Sequence, residues 1–85
     1  MIKMINEKVK VLAQFGKDSS EITPSQFEWD NQAFTVRNAQ KAIYKNGGQV
    51  VYMFSGTDGV TSFELDFNPK DYSWILTKIW NTALA

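Results

Sequence analysis

The sequence contains no His and no Cys, and the acid–base candidates that stand out in it are carboxylates. His and Cys supply many metal ligands, the usual acid–base group near neutral pH and the thiol nucleophile. Two carboxylate pairs stand out, Asp30 with Asp58 and Glu64 with Asp66. The first pair lies in predicted turns, and the second alternates with apolar residues as solvent-facing positions do. We therefore predict no catalytic residue, no metal site and no cofactor.

Basic and aromatic side chains lie close together in the middle of the sequence and predict a different kind of site. Single-stranded nucleic acids bind where bases stack on aromatic rings and Lys or Arg side chains meet the phosphates. The residues that fit this pattern are Arg37, Lys41, Tyr44 and Lys45, with Trp29 if it is exposed. The nine basic and nine acidic residues balance, which counts against nucleic acid because phosphate contacts supply most non-specific affinity.

The large aromatic residues have a structural use that competes with this interpretation. The sequence has three Trp, three Tyr and six Phe in 85 residues. A domain of that size needs bulky side chains to fill its interior. The residues that we expect in the core are Phe27, Phe34, Phe54, Phe63, Trp74 and Trp29.

Protein binding is the function class that the sequence favours. An exposed aromatic patch near Trp80 or an unpaired strand edge would serve it, and self-association is its simplest form. On the first strand, Lys8 and Lys10 are charges of the kind that discourage edge pairing. We predict a non-catalytic binding or accessory module whose partner is another protein or a second copy. Single-stranded nucleic acid is the alternative.

The clearest structural signal is a hairpin over residues 49–67. Asp58-Gly59 predicts a two-residue turn, since both residue types tolerate the positive φ that such a turn needs. This turn would place apolar cross-strand pairs on one face of the hairpin. The predicted pairs are Phe54 with Phe63, Tyr52 with Leu65 and Val50 with Phe67.

Alternating apolar residues predict further strands on both sides of this hairpin. Lys8 to Phe15 reads as a half-buried strand, and Ser25 to Val36 reads as a hairpin that turns at Asp30-Asn31 and pairs Phe27 with Phe34. The segment from Arg37 to Lys45 is ambiguous. Asn38 could cap a short helix, whereas Asn46-Gly47 would close a third hairpin, and we favour a strand with an irregular start.

The last strand is predicted to follow a turn at Asn68-Pro69-Lys70-Asp71, where the ring of Pro69 presets φ. It is apolar on both faces, as central strands are. Tyr72, Trp74, Leu76 and Trp80 share one face in this prediction, and Ile75 and Ile79 share the other.

Together these signals predict an all-β protein of six or seven antiparallel strands, a meander curled into a small barrel or a strongly bent sheet. In an alternative form of this fold, residues 38–45 include a short helix. We expect one domain over residues 1–85 with frayed ends at 1–7 and 81–85. No apolar run approaches the ~20 residues that cross a bilayer, so we expect a soluble, cytoplasmic chain with no membrane contact.

The order of aromatic and turn residues between Ile22 and Ile79 carries a family resemblance. The matching positions are Pro24, Phe27, Trp29, Phe34, Val36, Tyr52, Gly59, Phe63-Glu64-Leu65, Trp74 and Leu76. They are similar to a family of small, uncharacterised bacterial domains that are sometimes appended to Y-family DNA polymerases. The chain departs from that family at Asp30-Asn31, where the family tends to have a basic turn. The resemblance implies an all-β fold and an accessory role near DNA repair machinery, with no catalytic residues to transfer.

Overall fold

The computed structural model describes residues 2–17 and 21–81, and these residues form an all-β protein. The eight strands are β1 Ile2–Lys8, β2 Lys10–Phe15, β3 Ile22–Trp29, β4 Gln32–Thr35, β5 Arg37–Asn46, β6 Gln49–Thr57, β7 Thr61–Asn68 and β8 Ser73–Asn81. They make a five-stranded antiparallel sheet in the order β1-β8-β7-β6-β5 and a three-stranded one in the order β2-β3-β4. The described residues contain no helix, and hence none that could span a bilayer.

The predicted all-β, antiparallel class is confirmed, but the count of six or seven strands is wrong. Of the two predicted forms, a small barrel or a strongly bent sheet, no closed barrel forms among the described residues. Single residues divide two long extended segments, since Val9 separates β1 from β2 and Val36 separates β4 from β5. At these corners the chain leaves one sheet and enters the other. The Val9 N–H donates to the carbonyl of Trp74 at 3.2 Å, and the Val36 N–H donates to that of Ser25 at 2.9 Å. Two separate ladders therefore replace a continuous barrel among the described residues.

The predicted hairpin around Asp30-Asn31 is confirmed. Both turn residues have positive φ, 53° and 60°, as a two-residue turn of this type requires. Phe27 lies opposite Phe34, and their rings stack with centroids 5.0 Å apart. This pair brings the three-stranded sheet onto Phe63 of the larger sheet, whose ring centroid is 4.7 Å from that of Phe27.

The central hairpin exists, but the two-residue turn predicted for it is wrong. Three residues connect β6 to β7, and only Gly59 among them has positive φ, 102°. The Asp58 carboxylate instead accepts hydrogen bonds from the N–H groups of Val60 and Thr61. The register moves by two residues, so that Phe54 faces Leu65, Tyr52 faces Phe67 and Gly56 faces Phe63. A shift of two keeps each side chain on its predicted face.

The ambiguous segment is strand β5, so the helical alternative for residues 38–45 is wrong. Its start is irregular, as expected, because the register against β6 shifts between Arg37 and Gln40 and Asn38 has φ of 51°. The closing turn lies one residue later than Asn46-Gly47. Gly47 and Gly48 occupy it with φ of 61° and 84°, which glycine adopts without steric cost.

Strand β8 has a bulge that changes which of its side chains face the core. Leu76 pairs with Leu65 and Lys78 pairs with Glu64, so Thr77 is an extra residue. Beyond the bulge Ile79 faces inward, whereas Trp80 lies on the opposite face from Trp74 and Leu76. The prediction of one face shared by Tyr72, Trp74, Leu76 and Trp80 is therefore wrong, since Tyr72 also stays in the preceding turn.

The core lies between the two sheets and uses the aromatic residues that the sequence assigned to it. Its buried members are Ile22, Phe27, Phe34, Tyr52, Phe54, Phe63, Leu65, Phe67, Trp74, Leu76 and Ile79. Trp29 is only partly buried and packs against this cluster. At the amino end, where a partly ordered terminus was predicted, Ile2–Lys8 forms edge strand β1 against β8. Residues 82–85 of the predicted tail lie outside the described residues.

Candidate binding surface

The residues predicted to bind nucleic acid do not form one surface. Lys41 and Lys45 share a face of β5, because they lie opposite Phe54 and Val50 on the side of the sheet that carries the core. Tyr44 is on the other face. Arg37 lies in the irregular start of β5, opposite Thr57. Trp29 belongs to the three-stranded sheet. Two of the five predicted residues are thus brought together.

Four aromatic residues line one end of the molecule, and we call them the aromatic end: Phe15, Tyr52, Phe67 and Tyr72. Phe15 stacks on Tyr72 with ring centroids 5.9 Å apart and planes 20° from parallel. Tyr72 lies 5.7 Å from Phe67, which stacks on Tyr52 at 6.1 Å. Phe67 is fully buried, but Phe15 and Tyr72 are 51% and 60% exposed. The aromatic end therefore offers ring surface to a ligand.

Phe15 and Tyr72 were not among the predicted surface residues. Phe15 continues the alternation of Val9, Val11 and Ala13, which are partly buried, so its pattern predicts burial. Tyr72 has φ of 60°, and its N–H donates to the carbonyl of Asn68 at 2.8 Å. Residues other than Gly, Asn and Asp seldom adopt a left-handed backbone, so the sequence does not predict one at a tyrosine. A Pro-containing turn followed by Tyr is the only available hint.

Lysines and aliphatic residues border the aromatic end. The Lys41 Nζ lies 4.5 Å from the centroid of the Tyr52 ring, within cation–π distance. Next to it on the same strand, Ile43 lies opposite Tyr52 and is 60% exposed. An open depression of about 450 Å³ adjoins these residues, and its lining includes Val50, Tyr52 and Lys70 but no acidic residue.

Strand β5 is also an open edge of the five-stranded sheet. It is the last strand in the order of that sheet, and β6 is its ladder partner among the described residues. Every residue from Lys41 to Lys45 is exposed. An edge strand presents a row of backbone N–H and C=O groups to which another strand can bind. This edge runs directly beside the aromatic end.

The outer face of the same strands holds a hydrogen-bonded pair. The Tyr44 hydroxyl donates to Asp66 Oδ2 at 2.6 Å. This hydrogen bond, together with partial burial and the negative charges of Asp66 and Glu64, raises the pKa of Tyr44 to about 12. The other carboxylate oxygen of Asp66, Oδ1, is buried without a hydrogen-bond partner in the described part of the chain. Tyr44 is therefore fixed to the sheet rather than available for stacking.

Of the remaining carboxylates of the two predicted pairs, Glu64 and Asp58 also have local partners. Glu64 lies 3.6 Å from the Lys78 ammonium group. Hydrogen bonds from the backbone, that of Thr61 above all, lower the pKa of Asp58. Asp30 occupies its turn with positive φ. Within residues 2–17 and 21–81, no three His, Cys, Asp or Glu side chains converge as a metal site would need.

Trp80, predicted as a protein-interaction residue, is half-buried on the outer face of β8. Ile2 of edge strand β1 lies opposite it. Ile2 and Met4 are 58% and 60% exposed, so the three residues form an apolar patch at this edge. The two edges of the five-stranded sheet thus differ in where their register shifts. The shift of β1 lies in its middle, between Met4 and Glu7, whereas that of β5 lies at its start and leaves a regular ladder from Gln40 to Asn46.

The chain was compared with family models, with curated proteins and with solved structures, and none of the three comparisons gives a match.

The residues that carry the family resemblance lie mainly in the core and in turns. Phe27, Phe34, Phe63, Leu65 and Trp74 are buried. Of the aromatic end, only Tyr52 belongs to the resemblance.

Proposed function

We propose that this protein is a non-catalytic binding module that takes up an extended segment of a partner protein along the edge of β5. The observation that carries the proposal is this edge, whose ladder is regular from Gln40 to Asn46 and whose residues from Lys41 to Lys45 are all exposed, next to exposed apolar and aromatic side chains. In strand addition, main-chain hydrogen bonds supply affinity and alternate side chains supply specificity. A cytoplasmic setting is part of this proposal. So is the accessory role that the family resemblance implies.

The surroundings of β5 support this proposal over binding at the β1 edge. The register of β1 against β8 shifts between Met4 and Glu7, and Asn6 has φ of 56°. Bulges of this kind interrupt an edge and discourage pairing. In contrast, the register of β5 against β6 is regular from Gln40 to Asn46. Of the two edges of the five-stranded sheet, β5 therefore offers an incoming strand the longer uninterrupted backbone template.

A selection from a random-peptide library displayed on phage tests the proposal without knowledge of the natural partner. We expect peptides of high β-propensity that bind the wild-type chain in the micromolar range. The matched variants are Ala42→Pro and Ile43→Pro. Successive N–H groups of a strand point to opposite sides, so one proline replaces an N–H at the free edge and the other breaks the ladder with β6.

Thermal denaturation identifies which proline variant keeps its fold. That variant should lose binding of the selected peptides, because it lacks a donor on the edge. Failure of the library to yield any peptide, or equal binding by the folded proline variant, would contradict strand addition at β5.

Single-stranded nucleic acid is a second candidate, and the aromatic end is the observation that favours it. Bases stack on exposed rings such as those of Phe15 and Tyr72, at about 1–3 kcal/mol for each base. Lys41, Lys45 and Lys70 would then meet the phosphates. Of the residues predicted from the sequence, Lys41 and Lys45 stay in this proposal, whereas the others lie elsewhere.

Fluorescence anisotropy with labelled oligo(dT) and oligo(U) at low and moderate salt tests this second candidate. Binding should weaken steeply with salt, because phosphate neutralisation releases counterions. It should also weaken in Tyr72→Ala, while Val60→Ala serves as the exposed control in another loop. Absence of salt-dependent binding at micromolar protein would eliminate this candidate.

A further inference from the structure

We infer that the segment taken up by β5 is acidic and carries the pattern acidic–x–apolar–x–acidic. The inference rests on the proposed function, since it assigns the chemistry of the strand that pairs with β5. Its basis is the alternation of Lys41, Ile43 and Lys45 on one face of an exposed edge.

These three side chains share the face of the sheet that carries the core. They lie opposite Phe54, Tyr52 and Val50 of β6, and residues directly opposite each other project from the same face. Ile43 therefore lies between two lysines on the face of the sheet that carries the core. The residues between them, Ala42 and Tyr44, belong to the outer face.

A strand that pairs with β5 would bring its own side chains against these three residues. A residue paired directly with an edge residue has its Cβ about 4.5–5.5 Å away, so its side chain contacts that of its partner. Carboxylates opposite Lys41 and Lys45 would form cross-strand ion pairs. An aliphatic side chain opposite Ile43 would cover surface that is 60% exposed in the free chain.

The charged side chains around this edge favour an acidic partner. Strand β5 has the sequence RNAQKAIYKN, with three basic residues and no acidic one. The nearest carboxylates in the ladder order, Glu64 and Asp66 of β7, lie on the outer face, where Asp66 accepts the hydrogen bond of Tyr44. Two of the three side chains on the core-bearing face between Lys41 and Lys45 are thus lysines, and like charges placed directly opposite them would destabilise an incoming strand.

Three short synthetic peptides of equal length test the inference. The first has the core Glu-Thr-Ile-Thr-Glu, and the second has the reversed charges, Lys-Thr-Ile-Thr-Lys. The third, Thr-Glu-Ile-Glu-Thr, has the composition and net charge of the first but places its carboxylates on the face opposite Ile. The pattern is symmetric, so it matches β5 in either strand direction.

We expect the first peptide to bind at least about tenfold more tightly than either of the others, because two cross-strand charge pairs change sign or are lost. Isothermal titration calorimetry measures the affinities, and amide chemical shifts locate the peptide on β5. The double variant Lys41→Glu with Lys45→Glu should prefer the second peptide. The control Lys3→Glu with Lys10→Glu has the same charge change at exposed lysines outside β5 and should keep the original preference.

The outcomes separate this inference from the proposed function. If library peptides bind β5 while the first and third synthetic peptides bind equally, the acidic pattern is wrong and strand addition stands. If no peptide binds β5, both fall. If oligo(dT) binds and the lysine double variant abolishes that binding while the first peptide has no affinity, the lysines recognise nucleic acid and the inference is overturned.

Discussion

Tyr44 holds a proton that most tyrosines would release at lower pH. Its hydrogen bond to Asp66 and the nearby negative charges raise its pKa from 10.0 to about 12. Because the folded-state pKa is the higher one, the stabilisation is fully present below pH 10 and is lost as the pH rises towards 12. Ultraviolet difference titration should therefore show a tyrosine that ionises about two pH units later than a free one.

The matched variants for this titration are Tyr44→Phe and Asp66→Asn. The first should remove the late-ionising component, and the second should move it to lower pH while keeping the phenol. A late component that survives in Tyr44→Phe would show that another tyrosine carries the raised pKa.

Gly59 is the residue on which the central hairpin depends for its turn geometry. Its φ of 102° lies in a region that side chains with a Cβ rarely adopt, although no atom lies within 4 Å of the added Cβ. We expect Gly59→Ala to lower the free energy of unfolding by about 1–2 kcal/mol through backbone strain alone. Urea denaturation measures this change.

The neighbouring Val60→Ala is the control for Gly59→Ala, because Val60 is 65% exposed and has ordinary backbone geometry. It should change stability by no more than about 0.5 kcal/mol. Equal stability of Gly59→Ala and the wild type would contradict the assigned turn.

At the scale of strands, Gly56 lets the corner between β4 and β5 approach β6. A Cβ at this position would lie 3.0 Å from Val36 Cγ1 and 3.3 Å from both the Arg37 carbonyl oxygen and Phe63 Cε1. We expect Gly56→Ala to cost about 1–3 kcal/mol of stability, as overpacking does. Urea denaturation of the single variants and of the double variant with Val36→Ala measures this cost and its coupling.

The double variant should recover part of the cost, because the shorter side chain at position 36 removes the closest contact. The free energies of the two single variants would then not add. Strict additivity would show that the corner does not press on β6 at this point.

The strands were predictable from alternation and turn chemistry, and the corners were not. Asp30-Asn31 and the pairing of Phe27 with Phe34 follow from local sequence. Val9 and Val36 look like ordinary strand residues, so nothing local shows that the chain changes sheets there. The register of the central hairpin was also missed, since Asp58 accepts backbone hydrogen bonds instead of adopting positive φ.

The candidate surface was predictable only in part, for a similar reason. Lys41 and Lys45 were recognisable from their type and spacing on one strand. Tyr72 was assigned to the same face as Trp74 and Leu76, because no sequence signal marks the left-handed backbone that decides where its ring points. Placement of Phe15 beside Tyr72 required both sheets.

At the scale of the whole molecule, the two sheets cover each other incompletely. Phe27 and Phe34 of the smaller sheet pack over Phe63, whereas Ile43 and Val50 of the larger sheet stay exposed. An incoming strand on β5 would extend the larger sheet and place a side chain beside Ile43. Binding should therefore stabilise the folded chain.

The size of that stabilisation follows from mass action. A peptide that binds only the folded state should raise the free energy of unfolding by about 2.7 kcal/mol at a free concentration of about 100 times its Kd. Thermal denaturation with a library-selected peptide measures the effect, and the folded proline variant should show none. An equal increase in that variant would place the binding site elsewhere.

The most direct test of strand addition is amide hydrogen exchange along β5, followed by NMR with and without a selected peptide. In the free chain, alternate amides between Lys41 and Lys45 should exchange rapidly, because they face the open edge, and the intervening amides should be protected by β6. The peptide should protect the rapidly exchanging set. Protection of all these amides in the free chain, or an unchanged pattern when the peptide is bound, would contradict the account.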